Sequence, residues 1–440
     1  MQEYFYALAD AITESLHADE FYTCTFQAED SDFVRFNRSA IRQAGTVVQR
    51  FLTLDLIRGR RHAAAEIALA GDVDSDRARM SQMLIDLREK LSYLPEDPHL
   101  LYATTLHSSV QQGENRLPDR DAAVTAMLDA GRGRDLVGSY AAGGIYAGFA
   151  NALGQRNWYA SFTFNCDWSF YYQSDKAVKT GYAGFVWEPA VLARKVAEAA
   201  EQLDVLRRPP HTIPPGHYRV YLAPAALNDI LQMLAWGAFG LKDHRTKQTT
   251  LLKMVEEGVQ LHRAITIREN SRDGVAPNFQ EAGFIKPDQV TLIEAGALRE
   301  CLVSPRSAKE YGVPTNGASN AEAPESVEMA AGDIPPDDIL QRLDTGVYIN
   351  NLWYLNYSDR SACRITGMTR FASFWVEGGI IQAPLSVMRF DESIYRMFGD
   401  QLLGLTAEPD FILDPSTYHR RSTDSSRLPG AVVEQFHFTL

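Results

Sequence analysis

Apolar residues at Leu8, Ile12 and Leu16 recur at helical spacing and predict a helix over the first 20 residues. The period then drops to two. FYTCTFQAE, FVRFN, TVVQRFLTLDLI and HAAAEIALAG read as strands separated by Asp, Ser and Gly turns. From about Asp76 a helical period returns, with Met80, Leu84, Leu87 and Leu91 on one face and Asp74 or Ser75 as its cap. DRDAAVTAMLDAG predicts a second short helix. The run from Asp135 to Trp187 is rich in Gly, Tyr, Phe and Trp and alternates, which predicts a twisted antiparallel sheet. PAVLARKVAEAAEQLDVL is amphipathic, with Pro189 in its first turn, and predicts a helix.

RRPPHTIPPG packs four prolines into ten residues and is the clearest linker. HYRVYLA then reads as a strand, and Pro224 opens an apolar helix. Its sequence, LNDILQMLAWGAFGLKDH from Leu227 to His244, runs into glycines and then charges. Leu227, Ile230, Leu231, Leu234, Ala238 and Leu241 share one face, while Asn228, Asp229 and Gln232 lie off it. Periodicity makes this a buried core helix. A long polar stretch from Ser304 to Asp338 is of the kind that is either functional or disordered. The segment after Gly346 alternates strongly, with turns at Ser358-Asp359 and Gly378-Gly379, and no internal repeat is present. The class is α+β: an N-terminal α/β layered region of sheet plus helices, followed by a mostly antiparallel β C-terminal domain. The expected division is an N-terminal module 1–110, a central module 111–205, a linker 206–216 and a C-terminal domain 217–440.

A chain of 440 residues is long enough for two or three domains, and 45% hydrophobic with 22% charged residues is ordinary for a globular protein. The net charge of −13 argues against direct nucleic-acid binding, which needs a clustered basic surface. No run approaches the roughly 18 apolar residues of a membrane span, and the acidic, amphipathic start does not resemble a signal peptide. Cys24, Cys166, Cys301 and Cys363 are far apart and form no CxxC, which fits reduced thiols and a cytoplasmic protein.

Candidate chemistry is sparse. None of the ten histidines forms HxH, HxxxH or HExxH, so no helix presents a zinc-ligand pair; His244 and His262 meet only if the fold brings them together. There is no GxSxG elbow. Cys363 reads as a small buried hydrophobe in a strand-like run rather than as a nucleophile. Gly143, Gly144, Gly148 and Gly154 lack the Lys-Ser/Thr of a phosphate cradle and suit bulges and close strand packing. The aromatics between Trp158 and Trp168 lack basic interleaving and read as core rather than as a base-stacking platform.

GVYINNLWYLNYSDRSACRITGMTRFASFWVEGGIIQAPLSVMRF carries a Gly-Val-Tyr strand, Thr366-Gly367-Met368, Glu377-Gly378-Gly379-Ile380 and Pro384. This block resembles the TldD/PmbA family, once described as modulators of DNA gyrase. FVRFNRSAIRQAGTVVQRFLTLDLIRGRRHAAAE, ANALGQRNWYASFTF, PPGHYRVYLAPAAL and SPRSAKEYGVPTNG extend the resemblance over nearly the whole chain. The family forms two-subunit peptidases acting on unfolded or short peptides. Its TldD-type subunit carries an HExxxH zinc motif and a C-terminal cysteine, and its PmbA/TldE-type subunit lacks them. The motif positions fall on Leu234, Ala235 and Phe239, no cysteine follows Cys363, and TGMTR is closer to the PmbA-type form. The resemblance therefore implies a non-catalytic PmbA/TldE-like subunit with no metal of its own. Zinc is expected in a TldD-like, HExxxH-bearing partner, the assembly being a heterodimer or, failing that, a homodimer. Alternatives are a stand-alone homodimeric peptide-binding protein, a peptidase with an unrecognised site, and a DNA or gyrase partner. The stretch Tyr348–Tyr357 is a candidate β-edge for an extended peptide, with Asn350, Asn351, Tyr354, Asn356 and Arg364 as candidate substrate-binding residues.

Overall fold

The computed structural model describes residues 1–173 and 176–440. Its N-terminal sheet is built from β1 (Phe21–Asn37), β2 (Ala40–Arg58), β3 (Arg61–Ala68), β4 (Ser109–Gln112), β5 (Asp135–Asn151), β6 (Arg156–Gln173) and β7 (Lys176–Gly184). The strand order is β3-β2-β1-β5-β6-β4, with β7 also on β6. β1 pairs with β5 along most of its length, so the modules expected at 1–110 and 111–205 share one sheet. Four helices lie on it: α1 (Gln2–Glu14), α2 (Val73–Leu91), α3 (Arg120–Ala130) and α4 (Pro189–Leu206).

Alternation sets the faces of this sheet. Tyr22, Cys24, Phe26 and Ala28 pack against α1 and α2, and Val34 and Phe36 continue that side under α3 and α4. Glu29, Ser31 and Thr163 turn the other way and meet the C-terminal half through the buried Arg421. The glycines of β5 make close approaches rather than bulges, because β5 and β6 pair without a register shift. At Gly143 a side chain would collide with the Asp30 carbonyl, and at Gly148 with the ring of Phe5 on α1. The cap of α2 is Asp72, two residues before the expected Asp74; its carboxylate accepts from Ser75 N at 2.9 Å.

The Pro-rich connection is not a free linker. His211 N donates to Pro384 O at 2.7 Å, Arg208 donates to Gln382 O at 2.9 Å, and Ile213 is buried. After it come β8 (Gly216–Leu222), α5 (Pro224–Ala235), α6 (Leu241–Arg245), α7 (Leu252–Glu257), β9 (Ile267–Glu269), β10 (Val290–Glu294), β11 (Ala297–Leu298), α8 (Pro305–Tyr311) and β12 (Ser326–Met329). The chain ends with β13 (Gly346–Asp359), β14 (Arg364–Glu377), β15 (Ile380–Pro384), β16 (Arg389–Ser393), β17 (Leu402–Leu405), β18 (Asp410–Leu413), β19 (Ser425–Leu428) and β20 (Ala431–Phe438). One sheet runs β11-β10-β9-β12-β19-β18. The other runs β13-β8-β20-β16-β14-β15, and β13 also pairs with β14, which closes the strands from β13 to β14 into a ring.

Most pairings are antiparallel, the parallel ones among the described strands being β4–β6, β8–β13 and β12–β19, so the fold is α+β with a β-rich C-terminal half. The stretch 304–338 is ordered. It contains α8 and β12, and Ser304 caps α8 through Ser307 N at 3.2 Å. No helix among the described residues is long and apolar enough to cross a membrane.

Candidate functional site

β8 delivers the chain to α5 through Ala223, whose N–H donates to Ile349 O at 3.0 Å, and Pro224 starts the helix. Ala226, Leu227, Ile230, Leu231 and Leu234 form its buried face. The helix is shorter than its sequence pattern predicts. It stops at Ala235, because Trp236 leaves helical geometry (ψ 79°) and Gly237 takes φ +86°, a region that favours glycine. Ala238 and Leu241 are buried, as the pattern anticipates, but beyond this break.

The three motif positions therefore fall on two pieces of chain. Leu234 and Ala235 end α5, whereas Phe239 lies in the connection to α6. Positions five apart on a continuous helix point about 140° away from each other; the break lets Phe239 turn inward. Leu234 is 0% and Phe239 2% exposed, and both belong to the C-terminal core with Leu251, Ile265 and Leu302. Ala235 is half-buried. The connection is pinned on both sides: Leu302 N donates to Phe239 O at 2.8 Å, and Leu241 N to Leu302 O at 2.9 Å.

The polar groups around it serve the fold. His244 Nε2 lies 2.7 Å from Ala238 O, and burial lowers its pKa, so it stays neutral and donates to that carbonyl. Thr249 Oγ1 donates to the same carbonyl at 2.9 Å. The Glu322 carboxylate accepts from Lys242 N and Ser304 N, fastening the starts of α6 and α8. Cys363 is fully buried, and burial pushes its thiol up to about 12. It sits in the turn before β14, not in a strand. Among the described residues, no three His, Cys, Asp or Glu side chains converge as a metal set would.

The expected peptide edge is partly closed. Val347, Tyr348 and Ile349 lie between β8 and β14, so only the stretch from Asn350 onward has an open side. The candidate residues scatter along it. Asn350 Nδ2 donates to Lys179 O at 2.9 Å and ties β13 to the N-terminal sheet. Asn351 is 8% exposed, and its Oδ1 has no donor among the described residues. Asn356 Oδ1 accepts from Tyr357 N, and Arg364 pairs with Asp391 at 3.0 Å. Tyr354 is 76% exposed with φ +56°, an uncommon conformation for an aromatic residue.

Several neighbours escaped the sequence reading. Asp229 accepts from Leu352 N at 3.0 Å, just beyond the closed part of β13, and burial raises its pKa to about 6. It lies off the apolar face, and the available signal is that it is the only charged residue of α5. Trp236 and Trp353 are exposed, with Arg360 over Trp236 at 5.6 Å and Arg370 over Trp353 at 4.0 Å. The Arg370–Trp353 pair depends on the β13–β14 register and the Arg360–Trp236 pair on the β13–β14 turn meeting the end of α5, neither of which a local pattern encodes.

Residues 215–440 match the sequence model of the PmbA/TldA metallopeptidase C-terminal domain. Among solved structures, TldE from Thermococcus kodakarensis aligns over 99% of this chain and 100% of its own, with TM-score 0.77 and 14% identity. A candidate modulator of a DNA gyrase from Thermotoga maritima aligns over 99% of each chain with TM-score 0.77 and 14% identity. A candidate modulator of DNA gyrase from Bacteroides thetaiotaomicron aligns over 99% of this chain and 98% of its own, with TM-score 0.73 and 15% identity. At these identities the likeness establishes the fold. No curated protein matches the sequence.

Proposed function

The chain belongs to the PmbA/TldD metallopeptidase family, and from that membership we propose that it is a PmbA/TldE-like subunit of a TldD/TldE-type peptidase. In this reading it carries no zinc, pairs with a TldD-like HExxxH-bearing subunit in the cytoplasm, and helps enclose and hold unfolded or short peptides. The observation that supports it most is what fills the motif positions. Leu234 and Phe239 are buried hydrocarbon within the C-terminal core. A zinc site needs nitrogen, sulfur or oxygen donors on converging side chains, and a hydrolytic water needs a general base. Leu234, Ala235 and Phe239 supply neither, so the residues present do not fit the metal and no chemical step is assigned to this chain.

The exposed Trp236, Trp353 and Tyr354, flanked by Arg360 and Arg370, have the composition of a recognition surface. The test is co-expression with an HExxxH-bearing relative, followed by sizing, metal analysis and hydrolysis of an unfolded peptide. The expected result is a mixed complex whose chelator-sensitive activity is missing from this chain alone. Chelator-sensitive cleavage by the isolated chain would overturn the reading. Failure to form a mixed complex, with a stable homodimer instead, would favour a stand-alone peptide-binding protein.

A further inference from the structure

The outer half of β2 has no role in the reading above. β3 pairs with β2 only from Phe51 to Arg58, so between Ala40 and Gln49 the outer side of β2 faces no strand among the described residues. Every residue from Ala40 to Val48 is exposed. Ile41, Val47 and Val48 are 49%, 37% and 50% exposed, which is unusual for apolar side chains on a sheet edge. Proteins normally blunt such an edge with a covering loop, a proline or a short strand, because its free N–H and C=O groups template an incoming chain. This edge is also rigid. β1 backs it throughout, and Ser39 in the tight turn is fastened to the start of β5. Ser39 Oγ donates to Arg134 O at 2.6 Å and accepts from Leu136 N at 3.0 Å.

Charge selects what would add to it. From Phe33 to Arg50 the sequence holds Arg35, Arg38, Arg42 and Arg50 and no Asp or Glu, in a chain of net charge −13. Arg35, Arg38 and Arg42 are exposed. Two nearby acids are already engaged: Asp32 accepts from Thr46 and pairs with Arg120 at 3.5 Å, and Glu29 accepts from Gln49 and from Arg421 N. The third, Asp30, lies opposite Val48 and is exposed, so the three arginines outnumber it along this edge. Beside the edge, β1, β2, β5 and the segment 415–419 enclose a cleft of about 1070 Å³ whose lining includes Phe33, Arg35, Arg42, Val47 and His419.

We propose that this edge and cleft bind an extended, carboxylate-rich peptide segment, which adds a strand to β2 and sets its acidic side chains against Arg35, Arg38 and Arg42. The proposal deepens the peptidase-subunit reading and rests on it for the source of the peptide. Antiparallel pairing with the same edge of a second copy is disfavoured, since it would oppose two sets of arginines that have no ion pair among the described residues. A nucleic acid would use the arginines but not the strand edge, whose carbonyls repel phosphate, nor Ile41 and Val48.

The experiment is fluorescence polarisation with the purified full chain and a short labelled peptide of alternating Glu and Thr. A Lys-Thr peptide and a labelled DNA duplex serve as competing probes. The Glu-Thr peptide is expected to bind, to weaken as salt rises, and to lose roughly tenfold or more in affinity with the Arg35→Glu/Arg42→Glu variant. Arg35→Gln/Arg42→Gln is expected to lose less, and because the arginines are exposed both variants should fold. Equal binding of the Glu and Lys peptides, preference for the duplex, or indifference to the substitutions would overturn the proposal. Assembly with the HExxxH-bearing relative is scored separately. Absent peptide binding with intact assembly sinks this proposal alone. Intact peptide binding with no assembly sinks the subunit reading alone. Variants that block assembly but spare peptide binding would reassign the edge to the partner subunit and overturn the peptide site.

Discussion

Writing the zinc motif back into this chain as Leu234→His, Ala235→Glu and Phe239→His should unfold the C-terminal half rather than create a metal site. Leu234 and Phe239 are 0% and 2% exposed in one continuous core. Replacing either side chain forfeits about 1.5–3 kcal/mol of apolar burial, and leaving an imidazole without a partner there adds about 1–3 kcal/mol. Each histidine thus costs about 2.5–6 kcal/mol. The two sit in the same cluster and will not add strictly, yet together they rival the ~5–15 kcal/mol that holds a typical domain folded. Ala235 is half-buried, so Ala235→Glu alone should stay within about 0.5 kcal/mol of the parent. The assay is denaturant unfolding followed by circular dichroism, with metal analysis after zinc dialysis. The expected order of midpoints is parent, close to A235E, well above L234H and F239H, with the triple variant lowest and zinc-free. A triple variant of parental stability, or one holding stoichiometric zinc, would refute the claim that these positions have become core.

Other consequences can be checked directly. Burial raises the Glu269 carboxyl from 4.5 to about 7, so its contribution to stability is complete below pH 4.5 and is lost as pH climbs through about 7. Glu269→Gln should therefore stabilise the fold above pH 7 and change little near pH 4.5 in melting experiments across that range. Arg421 is 4% exposed and donates to Gly143 O, Thr163 O and Ser31 Oγ. Arg421→Met should cost about 3–5 kcal/mol, and limited proteolysis should then cut between Asp414 and Asp424. Burial pushes up all four thiols, but Cys24, Cys166 and Cys363 are buried whereas Cys301 is only partly buried and so is the one a reagent can reach. Iodoacetamide at neutral pH should label Cys301 alone in the native protein, as read by mass spectrometry.

What the sequence disclosed follows the range of the forces involved. Helices α1, α3 and α4 were legible because their apolar spacing and first-turn signals are local, and α4 matches its expected limits from Pro189 to Leu206. The end of α5 was not, because Ala238 and Leu241 keep the apolar rhythm after the backbone has turned at Trp236 and Gly237. A periodic pattern reports burial, and burial here continues past the helix. The linker and the stretch 304–338 looked loose for the complementary reason. Pro, Ser and Asn interrupt regular ladders, but the backbone N–H groups of these stretches reach distant partners such as Pro384 O and the Glu269 carboxylate.

The same distinction separates the two strand edges. Whether a strand is bare depends on which other strand arrives beside it, and alternation along one strand is silent on that. The alternating, Asn-rich β13 looks like a docking edge in sequence, yet β8 and β14 occupy both its sides from Val347 to Ile349, and Asp229 meets Leu352 N just beyond. The first half of β2 carries no sign of its own that it lacks a neighbour, and it is the edge left open because β3 ends its pairing at Phe51. The local signal that separates them is charge. Asn350 and Asn356 are neutral and hydrogen-bonded within the fold, whereas Arg35, Arg38 and Arg42 stand exposed with no ion pair among the described residues. A cation left unpaired on a rigid edge keeps its full attraction for an incoming carboxylate, while an amide already bonded internally must first give up that bond. Competition between the two edges for one peptide should therefore respond to Arg35→Glu/Arg42→Glu far more than to Asn350→Ala, and the reverse order would return the peptide to β13.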